Sequence, residues 1–316
     1  MSETSATDSP EARVRAALAA HASTRSLAEA ALEPVRGGLS NHTWQAGQGD
    51  HRYFVRLGGP ESETLGVDRA SERTMLAIVA AAGLAPRLLA CDPSSGLLVT
   101  QFVMGPPWRR EDAHESRNIE RIAERLRVLH QLDPPSGIRR VDFAVQARNL
   151  ETQLHALADA CQAGRTGGDD AGNPIEIAVA SVAAIRRVAD AAFDRLASRG
   201  AHPVLCHNDL HHLNLLDDGV RLWIVDWEYG GIGDPLFDLA SFACQQEFTV
   251  DERAQLLDAY AAGSALQAPA LDAACAAFDV VQCLWYLLWA ARNPGSGGEY
   301  ASRAEVLARR LAAAGS

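Results

Sequence analysis

Apolar and polar positions follow two different periods along this chain. In the first hundred residues the alternation is short. Thr43–Ala46, Tyr53–Leu57, Leu88–Ala90 and Leu97–Phe102 predict strands, the first pair around the polar turn Gly47–Asp50 and the second around Asp92–Gly96. A helical period runs through the Ala-rich stretch from Glu11 to Leu32. Another covers 67–82 and stops at Gly83, with Pro86 shortly beyond. After Gly105-Pro106-Pro107 the helical period dominates, over 112–131, 143–161, 174–199, 235–247, 251–262, 268–292 and 299–313. The polar, Gly-rich stretch 162–173 predicts a mobile loop between two of these helices. One hairpin interrupts the helices, Leu213–Leu216 and Arg221–Val225 around Asp217-Asp218-Gly219. These patterns predict an α+β chain: a disordered N-terminus over 1–10, a β-rich N-terminal lobe over 11–104 and a mostly helical C-terminal lobe over 105–316.

Composition narrows the partners. The chain has 316 residues, 47% of them hydrophobic, enough to bury a sizeable core. Its formal charge of −11 argues against a nucleic-acid partner, whose binding needs a basic face, and mildly favours a cationic small substrate. The six cysteines form no C-x-x-C pair, so reduced thiols are expected. The start, MSETSATDSPE, has neither a basic nor an apolar segment of a secretory signal. The apolar run Cys283–Ala291 is too short to span a bilayer. A cytoplasmic protein with no membrane partner is the expectation.

The run His207-Asn208-Asp209-Leu210-His211-His212-Leu213-Asn214, then the hairpin, then Asp226-Trp227-Glu228-Tyr229, carries candidate chemistry. Phosphoryl transfer needs a carboxylate to take the hydroxyl proton and oxygen ligands to hold a hard cation on the nucleotide phosphates. Asp209 and Asn214, five apart on one loop, can face one cavity, and the hairpin returns the chain so that Asp226 ends a strand beside Asn214. Adjacent histidines cannot easily share a metal, so His211 and His212 do not suggest zinc. Earlier in the chain, Gly37-Gly38-Leu39-Ser40-Asn41 suits a turn whose backbone N–H groups cradle phosphates.

The spacing H-x-D-x-x-x-x-N, a short hairpin and an apolar strand ending in Asp resembles the bilobal protein-kinase-like fold. More narrowly, it resembles the aminoglycoside phosphotransferase and choline kinase superfamily, over roughly residues 33–295. The resemblance implies ATP and Mg²⁺ as cofactors and three catalytic positions: Asp209 as base, Asn214 and Asp226 as the magnesium ligands. His207 becomes a brace for the loop. By the same resemblance Gly38, Ser40 and Asn41 lie on the phosphates. Arg56 replaces the usual strand lysine and pairs with Glu72. Gln101, Phe102 and Val103 form the hinge whose backbone binds adenine.

The run Asp226–Ala240 is similar to the choline/ethanolamine kinase subgroup, with Asp234 and Pro235 opening a helix and Asp238 structural. Leu284–Ala291 resembles the tryptophan-rich helix of choline kinases. The resemblance implies a cationic alcohol substrate held by aromatic faces. Trp285, Tyr286 and Trp289 are the candidate cage, with Glu228 as counter-charge and Asp279 a weaker candidate. Choline or ethanolamine is the expected acceptor. Thiamine, an aminoglycoside, or no acceptor at all in a non-catalytic pseudokinase are the alternatives.

Overall fold

Eight residues on each side of a two-residue turn make the longest hairpin. In the computed structural model, which describes residues 9–35, 41–58, 67–163, 174–200, 202–261, 267–293 and 297–314, strands Asn41–Gln48 (β2) and His51–Gly58 (β3) pair in antiparallel register from Asn41↔Gly58 to Gln48↔His51. Gly49, at φ +59°, takes the left-handed position of the turn. A strand not anticipated from sequence, Leu32–Pro34 (β1), pairs with β2 at the sheet edge, where Pro34 is tolerated. Leu88–Asp92 (β4) and Leu97–Gln101 (β5) complete an antiparallel sheet in the order β1-β2-β3-β5-β4.

The two faces of this sheet bury different things. Trp44, Ala46, Val55, Leu57, Leu97 and Val99 pack with Val14, Leu18, Leu27 and Ala28 in one apolar cluster. The N-terminal stretch is thus the cover of the sheet, and each of its fully buried aliphatic side chains contributes about 1.5–3 kcal/mol. It is not one long helix. Helix α1 (Pro10–Ala20) ends because the buried Thr24 hydroxyl donates to the Leu18 carbonyl, and Arg15 reaches back to the carbonyls of Ala28 and Ala30. On the other face stand Thr43, Arg56 and Leu98, neighbours across three strands. Arg56 meets helix α2 (Arg69–Ala81) there, through Glu72. Asp68 caps α2 by accepting from the N–H groups of Ala70 and Ser71.

Packing divides the chain into two units, Met1–Arg139 with His207–Ile232, and Arg140–Cys206 with Gly233–Ser316. The first holds the sheet, α2, α3 (Arg110–Ala113), α4 (Ser116–His130) and the hairpin β7 (Leu215–Asp217)–β8 (Leu222–Ile224). The segment after Gly105 belongs inside this unit because it pairs with β7. The Asp217 N–H donates to the Pro106 carbonyl and the Trp108 N–H to the Leu215 carbonyl. A Cβ on Gly105 would overlap the Asp217 carbonyl, so only glycine fits this crossing. Asp217 also accepts from Arg121 Nη1 at 2.6 Å and Trp108 Nε1 at 3.3 Å. The Arg121 bond is the main cause that holds its carboxyl down at about 2.

In the second unit, α5 (Phe143–Ala163), α6 (Pro174–Ala197), α7 (Leu236–Gln245), α8 (Val250–Ala261) and α10 (Gly298–Ala314) all pack on α9 (Ala268–Arg292). The predicted loop 162–173 begins later than expected, since α5 continues to Ala163; the rest of it lies outside the described residues. Among the described residues α9 is the one helix long and apolar enough to cross a membrane by length and composition, and 67% of its apolar window is buried in the protein. The remaining strands are Val204–Cys206 (β6) and Gly231–Gly233 (β9).

Candidate active site

His207 organises the loop that carries the chemistry. Its buried ring donates from Nε2 to the Val225 carbonyl at 2.9 Å and accepts the Asp209 N–H on Nδ1 at 3.3 Å. This pair of bonds fixes the tautomer. The Trp227 indole stands edge-on to the imidazole at 4.7 Å and donates to the Ile224 carbonyl. The expected brace is therefore two-sided, joining the loop before the hairpin to the strand after it.

Two residues here adopt left-handed backbone without being glycine: Asn208 at φ +68° and Asp226 at φ +64°. Asn and Asp tolerate this region best, at a cost on the order of 1 kcal/mol or more. The Asn208 amide donates to the Tyr229 carbonyl and holds its turn against the one that follows Asp226. The strain aims Asp226 off the end of β8 into the site.

Asp209 keeps about 30% of its side chain exposed. Burial of the rest raises its pKa to about 6, with His207 opposing and Glu228 adding to the rise. A carboxyl poised there is suited to accept a proton near neutral pH. Asn214 is buried, and its amide nitrogen donates to the Asp209 carbonyl at 2.9 Å. That bond leaves Oδ1 as the atom able to ligate a cation. Asp226, 43% exposed, has its pKa raised to about 8 by burial and by Glu228, against the pull of Arg56 and with a further rise from Asp209. Amide and carboxylate oxygens gathered where negative charge is already costly fit a hard divalent cation.

Arg56 is the centre of the second half. The chain contains no lysine, and all 29 of its basic side chains are arginine. Arg56 is 4% exposed and donates from Nη2 to both oxygens of Glu72, at 2.6 and 2.8 Å. Nη1 lies 3.5 Å from Asp226 and 3.7 Å from Glu228. Burial works against the guanidinium charge, and Glu72, Asp226 and Glu228 more than offset it, so its pKa stands above the ordinary value. Nε is buried without a partner among the described residues. An unpaired buried donor is a group that a phosphate oxygen would satisfy.

The expected site residues of this unit gather as follows. Asn41, Arg56, Glu72, Asp226 and Glu228 form one contact network, and Asp209 and Asn214 share the loop beside it. Gly38 and Ser40 lie outside the described residues. At the hinge, the N–H groups of Gln101 and Phe102 are spent on the carbonyls of Arg87 and Arg52. Among the described residues this leaves the Val103 N–H as the free donor of the three. Glu228 is not a free counter-charge. Its Oε2 accepts from Arg69 Nη1 at 3.2 Å and from the Asn41 amide at 3.3 Å, because it is buried among cations that need it. His211 and His212 set their rings 6.1 Å apart with His211 Nε2 3.9 Å from Asp209 Oδ2, and burial together with His212 pushes His211 down to about 4.

In the second unit Trp285 stacks on Trp289, with centroids 5.5 Å apart and planes 12° from parallel. Tyr286 lies edge-on to Trp285 at 5.8 Å. Sequence reading missed Tyr300 of α10, which touches all three rings at 5.6–5.9 Å. A cation would meet an outer face of this cluster, since the two indoles stack on each other. Arg303 already stands over Tyr286 and Tyr300, at 5.9 and 5.7 Å. Asp279 is taken by Arg310 at 2.6 Å, which removes it as a counter-charge. Asp234 accepts the Leu236 N–H just before α7, whose N-cap position falls on Pro235 rather than on Asp234, and pairs with Arg199.

Comparison with known proteins places this geometry. The profile of the Phosphotransferase enzyme family (APH) matches residues 31–278. A choline/ethanolamine kinase family protein from Mesorhizobium loti has a crystal structure that superposes with a TM-score of 0.71 at 26% identity, covering 95% of this chain and 92% of that one. Probable choline kinase 1 of Arabidopsis thaliana is 25% identical over 221 residues, 67% of this chain and 59% of that protein. Protein LicA of Haemophilus influenzae is 42% identical over 55 residues, 17% of this chain. The matches span 21% of LicA and 59% of the Arabidopsis protein, less than two thirds of either. The sheet-rich N-terminal region, the helical C-terminal region and the superposition define a protein-kinase-like fold of the choline kinase type. With a family profile covering most of its length, this chain belongs to the Phosphotransferase enzyme family.

Proposed function

We propose that the protein transfers the γ-phosphoryl group of ATP to the hydroxyl of a small amino alcohol, choline or ethanolamine. The observation that carries this reading is the Asp209 carboxylate, raised to about 6 on a loop braced by His207, beside the oxygen ligands Asn214 and Asp226. Asp209 aims the acceptor hydroxyl and takes its proton as the new O–P bond forms; the bond to the bridging oxygen breaks and ADP leaves. Arg56 orients the phosphates. Asn214 and Asp226 would hold Mg²⁺, which supplies neutralisation of the charge that develops on the phosphates. The Mesorhizobium and Arabidopsis relatives and the aromatic cluster of α9 and α10 support an amino-alcohol acceptor. A cytoplasmic location, where ATP is available, accompanies this reading.

A coupled ADP-release screen over choline, ethanolamine, thiamine, homoserine, methylthioribose and kanamycin tests it. Choline or ethanolamine is expected to give the highest kcat/KM. Preferred turnover of thiamine or kanamycin would replace the acceptor, and nucleotide binding without turnover of any alcohol would favour a pseudokinase. The aromatic cluster is tested separately. Trp289→Ala is expected to raise KM for choline by about 2- to 30-fold, the range of one cation–π contact, and KM for ethanolamine by less. Equal changes for both, or a lowered Tm alone, would assign Trp289 to the core.

A further inference from the structure

Arg69 opens α2 one turn before Glu72 and carries no signal in the sequence patterns above. Its side chain is 9% exposed and makes three contacts at once. Nη1 donates to Glu72 Oε2 at 2.7 Å and to Glu228 Oε2 at 3.2 Å, and Nη2 donates to Asn41 Oδ1 at 3.3 Å. The Asn41 amide in turn donates to Glu228 Oε2 at 3.3 Å. Arg56 faces the same two carboxylates from the other side. Two guanidiniums and two carboxylates therefore close a ring. With Asn41 it joins four pieces of chain: the start of β2, the strand β3 that carries Arg56, the first turn of α2, and the turn that follows Asp226.

We infer that Arg69 is a positioning residue that holds Arg56, Asn41 and the Asp226 turn in one arrangement and thereby sets the affinity for the magnesium-bound nucleotide. The inference rests on the phosphotransfer reading for the identity of the ligand. Its physical basis is charge balance and shape. With Arg69 present, Glu72 and Glu228 each have a second cation, and Arg56 keeps Nη1 between Asp226 and Glu228. Without it, two buried carboxylates compete for one guanidinium. Glu228, now 3.7 Å from Nη1, draws Arg56 toward itself, and Asn41 keeps only its bond to Glu228. Lysine cannot substitute fully, because a point charge does not reach three acceptors that a planar fork spans.

The test uses the full-length protein and calorimetric binding of a non-hydrolysable ATP analogue with Mg²⁺, with adenosine as the control ligand and Tm measured alongside. Arg69→Met is expected to weaken binding of the magnesium analogue by about 10–100-fold, the loss expected when charge-assisted hydrogen bonds that hold the site are removed. Adenosine affinity stays unchanged, and Arg69→Lys restores part of the loss. Combining Arg69→Lys with Glu228→Gln is expected to weaken binding by less than the product of the two single effects, since both act through one ring; this cycle serves if Arg69→Met does not fold. Normal analogue affinity with only a lowered Tm, equal losses for analogue and adenosine, or strictly multiplicative effects would each overturn the inference. A wild-type protein that binds the analogue yet phosphorylates no alcohol would count against the proposed function while the Arg69 comparison still stands.

Discussion

Asp209→Asn is expected to lower kcat by about 10²–10⁴-fold, the range for losing a general base, with nucleotide affinity preserved. Asparagine keeps the size of the side chain. The backbone bonds that shape the loop, from the Asp209 N–H to His207 and from the Asn214 amide to the Asp209 carbonyl, do not involve the carboxylate. The variant therefore removes a proton acceptor without dismantling the site. The pH profile sharpens the test. Burial raises the Asp209 carboxyl to about 6, and a base works only when ionised. At saturating magnesium and ATP, wild-type kcat is expected to rise with pH along an acid limb whose midpoint lies at about 6 or below. In Asp209→Asn that limb disappears from the residual rate. Near-wild-type kcat in the variant, or an unchanged limb, would remove Asp209 as the base.

The second large effect belongs to Glu72. Its carboxylate is fully buried and holds Arg56 Nη2 through both oxygens and Arg69 Nη1 through one. Glu72→Ala leaves two arginines, 4% and 9% exposed, without their main partner. Breaking a buried pair from one side costs about 3–5 kcal/mol, because the surviving charge is left uncompensated in a poor solvent. A fall in Tm by several degrees is expected, together with loss of measurable magnesium-nucleotide binding as Arg56 swings toward Asp226 and Glu228. Glu72→Gln, which keeps an acceptor and the shape, should recover much of the Tm and little of the binding. An unchanged Tm in Glu72→Ala would show that the pair does not tie β3 to α2.

What the chain discloses by itself follows from local rules. The spacing from His207 to Asn214, the Asp217-Asp218-Gly219 turn and the strand into Asp226 are contiguous, so the order of functional groups is written in one segment. Helices α9 and α10 are long, the first apolar around most of its surface and the second amphipathic, and both lie where the sequence puts them to within a residue. The errors fall where distant contacts decide. The N-terminal stretch has helical composition throughout, yet it breaks after Ala20 because the Thr24 hydroxyl and the Arg15 guanidinium find carbonyls that helix continuation would have used. β1 exists only because β2 offers its edge.

The same division runs through the site. Sequence named the candidate residues: the expected Arg56–Glu72 pair forms, with Asp226 beside Arg56, and Asn214 bonds to the Asp209 carbonyl. Only the tertiary structure decided what each one faces. Glu228 reads as a free carboxylate two residues after Asp226, but burial beside Arg69 and Arg56 makes it part of their charge balance. Asp279 is claimed by Arg310, 31 positions away. Arg69 and Tyr300 become visible only through partners far along the chain. A carboxylate's role depends on its nearest cations and on how much water reaches it, and both are properties of packing that no local pattern records.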